Sequence, residues 1–148
     1  MAWTQYDSFQ QSLFSQANAI DLDDNLTTTV KVALLTNAYI PARATHQFWS
    51  DVSASEVTGT NYTAGGNEAG TKTVSTTSNV TTFDANDPAA WSQSGTGFSN
   101  ARYAVLYKDT GTPATSPLIA YHDFGSDVGN VAGDLTVQFD AAGIATIS

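Results

Sequence analysis

The stretch that most constrains this chain is Ala101–Phe124, ARYAVLYKDTGTPATSPLIAYHDF. It reads as two strands joined by a loop, each apolar on both faces. Side chains alternate across a strand, so Tyr103, Val105 and Tyr107 face one way and Ala104 and Leu106 the other. In the second strand Leu118, Ala120 and His122 alternate with Ile119, Tyr121 and Asp123. Apolar residues on both faces require packing partners on both. The connector Asp109–Pro117 holds Gly111, Pro113, Pro117 and several Ser and Thr, which is turn chemistry. The pair is therefore expected at the centre of a β-sheet domain.

The flanking sequence repeats the β pattern. Thr28–Asn37 alternates Val30, Val32 and Leu34 against Lys31, Ala33 and Leu35. Thr71–Thr77 and Asn79–Phe83 read as strands with one wet face, Leu135–Phe139 alternates cleanly, and Ile144–Ile147 makes a last strand. Asp84–Ser92 starts with Asn-Asp-Pro chemistry that suits a brief helical turn at Pro88, with Trp91 then packing inward. Phe48–Val52 reads as one helical turn or extended chain, anchored by Phe48 and Trp49. Only the N-terminal segment differs. Tyr6, Phe9, Leu13 and Phe14 recur with helical spacing, and Asp7 is positioned to cap, so Asp7–Ala17 is expected as a short amphipathic helix. About seven short strands without long helices between them favour an all-β, mainly antiparallel fold, a β-sandwich or jelly roll. Residues 1–148 form a single β domain in this reading, with 1–20 as a helical segment or arm that docks on the domain or on a neighbouring subunit.

Composition narrows the function classes. The chain of 148 residues has no Cys, so it has neither a disulfide nor a thiol nucleophile. Fourteen acidic against five basic residues give a formal charge of −9, which disfavours nucleic-acid backbones and anionic membrane surfaces. Hydrophobic content of 41% with 11% aromatics argues for a packed core and against disorder. No apolar run approaches the ~18 residues of a membrane span, and no basic and apolar leader pattern of a signal peptide is evident.

Chemistry-bearing patterns are few. His46 sits in a loop and His122 in a strand beside Asp123. Strand neighbours point to opposite faces, so His122 and Asp123 cannot form a dyad. Two isolated histidines lack zinc-ligand spacing. Asp84 and Asp87 flank the turn at Pro88, where an aspartate normally caps rather than serving as a paired acid. The acidic run Asp21–Asn25 lacks the Gly and Glu positions of a calcium loop and reads as a solvated turn. No phosphate loop or dinucleotide fingerprint occurs, and no cofactor is expected. Arg43 and Arg102, two of only five basic residues, are each expected to pair with a carboxylate.

Several phrases in order carry a family likeness: YDSF near the start, DLDDN, VKVALLTNAYIPARATHQFWSDVSASEVTGTNYTAGG, ARYAVLYKDTGTPATSPLIAYHDFG and the final DLTVQFDAAGI. Together they resemble a family of small structural proteins of tailed bacteriophages, over nearly the whole chain and most weakly between Asn67 and Ser99. The resemblance implies a non-enzymatic virion component, made in the host bacterial cytoplasm. Its implied role is a capsid decoration (cement) protein on the outer head shell. The implied partners are the major capsid protein and further copies of the chain, for instance in a trimer, with no nucleic acid and no membrane. Under this reading the candidate assembly contacts are Trp3, Tyr6, Phe9, Arg43, His46, Trp49 and Tyr62, which look exposed or lie in glycine-rich loops. A tail or head–tail connector component and a carbohydrate-binding β-sandwich are the alternatives. The latter would use aromatics along one face, starting from Tyr103 and Tyr107.

Overall fold

A computed structural model describes residues 1–13, 21–26 and 28–148. Eight strands and one α-helix order along the described chain as β1 (Thr4–Gln5), α1 (Asp7–Ser12), β2 (Thr29–Thr36), β3 (Asn67–Glu68), β4 (Lys72–Thr77), β5 (Val80–Ala85), β6 (Ala101–Asp109), β7 (Leu118–Val128) and β8 (Ala145–Ile147). All strand pairs are antiparallel. They form a five-stranded sheet in the order β1-β7-β6-β2-β3 and a three-stranded sheet in the order β4-β5-β8. The fold is all-β with a short N-terminal helix, and both sheets contribute to one hydrophobic core.

The expected central pair is central. In β6, Ala104, Val105, Leu106 and Tyr107 are all buried. Register places Tyr107, Val105 and Tyr103 opposite Lys31, Ala33 and Leu35 of β2, and Leu106 and Ala104 opposite Val32 and Leu34. Directly opposed residues share a face, so each face of β6 is extended by β2 in the alternation read from sequence. The first face is covered by the long β2–β3 connection. Trp49 stacks on Tyr107 with centroids 4.6 Å apart and planes 6° apart, and Tyr39 meets Tyr103 edge-on at 5.2 Å. The second face carries His122 of β7, which meets Trp3, and Trp3 in turn meets Phe139. Burying each large apolar side chain here is worth roughly 1.5–3 kcal/mol. The β6–β7 register shifts between Leu106 and Tyr107, where Leu106 opposes Ala120 and Tyr107 opposes Leu118. Ile119 is the extra residue of that bulge, so the simple alternation expected across Leu118–Asp123 breaks at its start.

Several local expectations change in instructive ways. Helix α1 begins at Asp7, with Tyr6 as its N-cap residue and no side-chain cap. Asp7 does not cap because its carboxylate accepts from Arg43 Nε at 2.8 Å. The expected helix covered Asp7–Ala17; residues 14–17 lie outside the described residues. No helical turn forms at Pro88. Asn86 extends the β5 edge by donating to Thr71 O, and Asp87 accepts from the Phe139 amide at 2.7 Å. Leu135–Phe139 alternates in burial as read, but it pairs only through the Trp91–Leu135 bridge and builds no ladder. The β4–β5 hairpin closes over Ser78 and Asn79, both at positive φ (52° and 66°), the backbone a two-residue hairpin turn needs.

Loops are fixed by single polar side chains where no ladder exists. Asn130 is fully buried. Its Oδ1 accepts from Phe98 N at 2.9 Å, and its Nδ2 donates to Ser92 O at 2.8 Å and Thr60 O at 3.1 Å. Three loops thereby meet on one amide. Gly97 is required beside it, because a Cβ there would collide with Asn130 Oδ1. Replacing Asn130 by Ala leaves the buried Phe98 amide without this acceptor and removes the ties to Thr60 O and to Ser92 O, which keeps the bond from Asn61 Nδ2. The expected cost is roughly 3 kcal/mol, read as a lower urea midpoint with unchanged slope. Gly97→Ala is expected to destabilise as well, by displacing the same amide.

Candidate interaction surfaces

The structure distributes the seven candidate contact residues between core and surface. Tyr6, Phe9 and Trp49, which look exposed in the sequence, are core residues at 0%, 3% and 6% exposure. Their apolar bodies are drawn inside because each faces an aromatic or aliphatic wall: Tyr6 packs on Tyr121 at 5.5 Å and Trp49 on Tyr107. Trp3 is half-buried between His122 and Phe139. Tyr62 is half-buried against Trp91 and Phe98. His46 is half-buried against Tyr39, at 5.7 Å. Arg43 alone of the seven is exposed, and its guanidinium reaches Asp7 at 2.7 Å. Arg102 likewise pairs with Asp123 at 2.6 Å, and Lys31 with Asp109 at 2.7 Å.

Four of the six tyrosine hydroxyls are committed to internal bonds. Tyr6 and Tyr39 share a buried hydrogen bond of 2.6 Å. Tyr62 Oη donates to Glu56 Oε1 at 2.7 Å and accepts from the Leu34 amide, and the Gly65 amide donates to the same Glu56 oxygen at 2.6 Å. Tyr107 Oη donates to Gly65 O at 2.8 Å. Glu56 and Tyr62 thus replace backbone pairing along β2, whose neighbour β3 is only two residues long. Burial, then the neighbouring Glu56 carboxylate, pushes the Tyr62 phenol well above the ordinary tyrosine value. Burial also raises Tyr6 and Tyr107, and it raises Tyr39 from 10.0 to about 12.

His122 and several acids have structural partners, whereas His46 Nδ1 is buried without a hydrogen-bond partner among the described residues. His122 Nδ1 lies 2.7 Å from Ala2 O, while Asp123 turns to Arg102 and to the Gly125 amide. In the Asp21–Asn25 turn, Asp21 Oδ1 accepts from the Asp24 amide and Asp24 Oδ1 from the Leu26 amide. A hydrogen bond to Asp21 and that residue's charge push the Asp23 carboxyl upward. Among the described residues no group of three or more His, Asp or Glu side chains is arranged to hold a metal ion. Tyr103 and Tyr107 do not form an open aromatic platform. Tyr107 lies under Trp49, and Tyr103 is half-buried against Tyr39.

What remains outward is mostly polar loop. Residues 110–115 of the β6–β7 connector are exposed, yet they are knitted internally: Thr110 Oγ1 lies 2.7 Å from Thr115 Oγ1, and Ser116 Oγ donates to Thr112 O. Ile40, 79% exposed, stands out on the Ala38–Trp49 loop beside buried Tyr39. Sequence could not separate these two, since both are apolar and adjacent. An apolar groove of about 240 Å³ opens between α1 and the three-stranded sheet, lined by Phe9, Leu13, Leu22, Val74, Phe83 and Ile147. The outer edge of β7 is covered in pieces. Gln47 and Ser116 tie the 47–49 segment beside its start, Tyr6 N donates to Ile119 O, and β1 pairs with Ala120 and Tyr121. Beyond that, Gly125 at φ 79° kinks the edge and Asp123 caps the Gly125 amide, which blunts it against strand addition.

Comparison with known protein families, with curated proteins and with solved structures finds no match. No helix among the described residues is long and apolar enough to cross a membrane.

Packing and surface roles are separable by substitution. Trp49→Ala is expected to cost about 3–5 kcal/mol of folding stability, whereas Arg43→Ala should cost under about 1 kcal/mol, both measured by denaturant unfolding. Raised phenol values also dictate an alkaline limit. The folded state holds its tyrosine protons while an unfolded chain releases them near 10.0, so this contribution to stability is complete below that pH. It is lost as pH rises toward about 12, the value for Tyr39. Phenolate absorbance in a pH titration should therefore show the buried tyrosines ionising together with loss of circular dichroism, not before it.

Proposed function

We propose that this chain is a non-enzymatic structural protein of a tailed-bacteriophage virion, a decoration protein that binds the outer head shell and stabilises it. The reading rests on the resemblance carried by YDSF, DLDDN, the Thr28–Gly66 region, Ala101–Gly125 and the C-terminal DLTVQFDAAGI. The structural observation that supports it best is the rigid construction of polar loops around Asn130 and within Thr110–Ser116. A shell-binding protein gains affinity when its contact loops are already ordered, because little conformational entropy is lost on docking. Three of the titratable groups, His122, Glu56 and Asp123, are used to hold the fold together. An acidic molecule also suits the outside of a head, away from packaged DNA.

In this reading the partner is the major capsid protein, met through the Ala38–Trp49 loop and the β6–β7 connector, with Ile40 and Arg43 as outward contacts. Separating virions into heads and tails and probing each fraction with an antibody to this chain tests the assignment. The chain is expected with the heads, and heads stripped of it should release DNA at lower temperature. Recovery with the tails instead would move it to a tail or connector role.

A further inference from the structure

Strand β4 is the one strand edge of any length that the described residues leave open. The other edges are short or protected: β1 and β3 have two residues each, β8 has three, and β7 is covered, kinked and capped. In contrast, β4 has six residues and pairs with β5 in unbroken register. From Thr73 to Thr77 it contains no charge, no Pro and no Gly, and every residue is exposed. Native edges normally carry such features to prevent pairing with another chain.

Backbone directions on this edge can be worked out. Lys72 N donates to Asn25 Oδ1 at 2.7 Å, and Asn25 Nδ2 donates to Lys72 O at 2.9 Å. Both main-chain groups of Lys72 therefore turn away from β5. In an antiparallel strand this orientation repeats every second residue, so the N–H and C=O of Val74 and Thr76 also point outward. Among the described residues nothing bonds to them. Asn25 supplies for Lys72 what a neighbouring strand would supply, and stops there.

We propose that β4 pairs edge to edge with β4 of a second copy of this chain, about a two-fold axis through Ser75. In that register the outward groups of Val74 meet those of the second copy's Thr76, and the reverse pair forms by symmetry. Every free group on the edge finds a partner, and Ser75 lies opposite Ser75 of the second copy. Charge selects this occupant. A basic partner would be drawn to the carboxylates of a chain carrying −9, and those nearest this edge, Asp21 and Asp23, line the groove beside Val74 rather than lying on Thr73–Thr77. The two-fold register sets the two acidic turns, each tied to its own Lys72 by Asn25, at opposite ends of the paired strands. Two acidic copies can therefore approach through a neutral strand without placing like charges directly opposite each other. Pairing also joins two three-stranded sheets into one and covers Val74, which is 43% exposed. The proposal concerns self-association alone and does not depend on the virion reading.

Sedimentation equilibrium over a concentration series tests it. Wild-type chain is expected to show a monomer–dimer equilibrium. Ser75→Lys and Ser75→Glu each put like charges across the axis and should weaken the dimer roughly tenfold or more. Mixing the two variants should restore a heterodimer. Thr76→Pro removes an outward N–H, sparing the backbone ladder to β5 while losing the Thr76–Thr81 hydroxyl bond, and should also abolish pairing. Hydrogen exchange should protect the Val74 and Thr76 amides only at dimer concentrations. A wild-type chain that stays monomeric at millimolar concentration overturns the proposal. So does a dimer that survives Ser75→Lys unchanged, and so does β4 protection that appears only when capsid shells are added.

Discussion

Burial of β6 on both faces is the constraint on which the other elements depend. A strand whose consecutive residues Ala104, Val105, Leu106 and Tyr107 are all inside must carry a layer above and a layer below. One layer is made by the long β2–β3 connection, whose Trp49 and Tyr39 rest on Tyr107 and Tyr103. The other contains Trp3 and Phe139, drawn from opposite ends of the chain. The N-terminal strand, the connection after β2 and the C-terminal segment thus gather around the β6–β7 hairpin, where Trp3 meets His122 and β1 pairs with β7. Removing the double burial would leave these segments without a common surface.

The covering layers contain little regular structure, so their backbone groups need partners from side chains. Asn130 ties two other loops to its own, Glu56 with Tyr62 serves the β2 edge, and Asn25 serves the start of β4. Asp51 does the same for the amides of Gln47 and Phe48. Each is a short polar side chain taking the place of a missing strand. The result is a molecule whose loops are irregular in path yet tied to the sheet.

How far sequence reading reaches follows from which forces are local. Alternation in Thr28–Asn37 and Ala101–Tyr107 predicts strands and faces correctly, because period-two patterning and burial are read from the same residues. It fails where one tertiary bond overrides a local preference. Asp7 goes to Arg43 instead of capping, and Asp87 goes to Phe139 instead of starting a helical turn. Leu135–Phe139 shows the converse: its alternation is real, but no strand lies beside it to make a ladder. Aromatics mislead most. Tyr6, Phe9 and Trp49 look like interface anchors in a polar context, and only the packed structure tells that they close the core while Ile40 remains outside. Asn130 carries no sequence signal beyond its glycine neighbour, because its importance comes from two loops distant in sequence.

Amide exchange followed residue by residue in the native protein tests this hierarchy most directly. If β6 is the common support, the Val105, Leu106 and Tyr107 amides exchange only through global unfolding, with the largest protection in the chain. Amides of the three-stranded sheet should then exchange through smaller openings that leave β6 closed. Exchange of the β6 amides at a lower free energy than those of β4 and β5 would contradict the account, because the smaller sheet that shares the core with β6 would then outlast it.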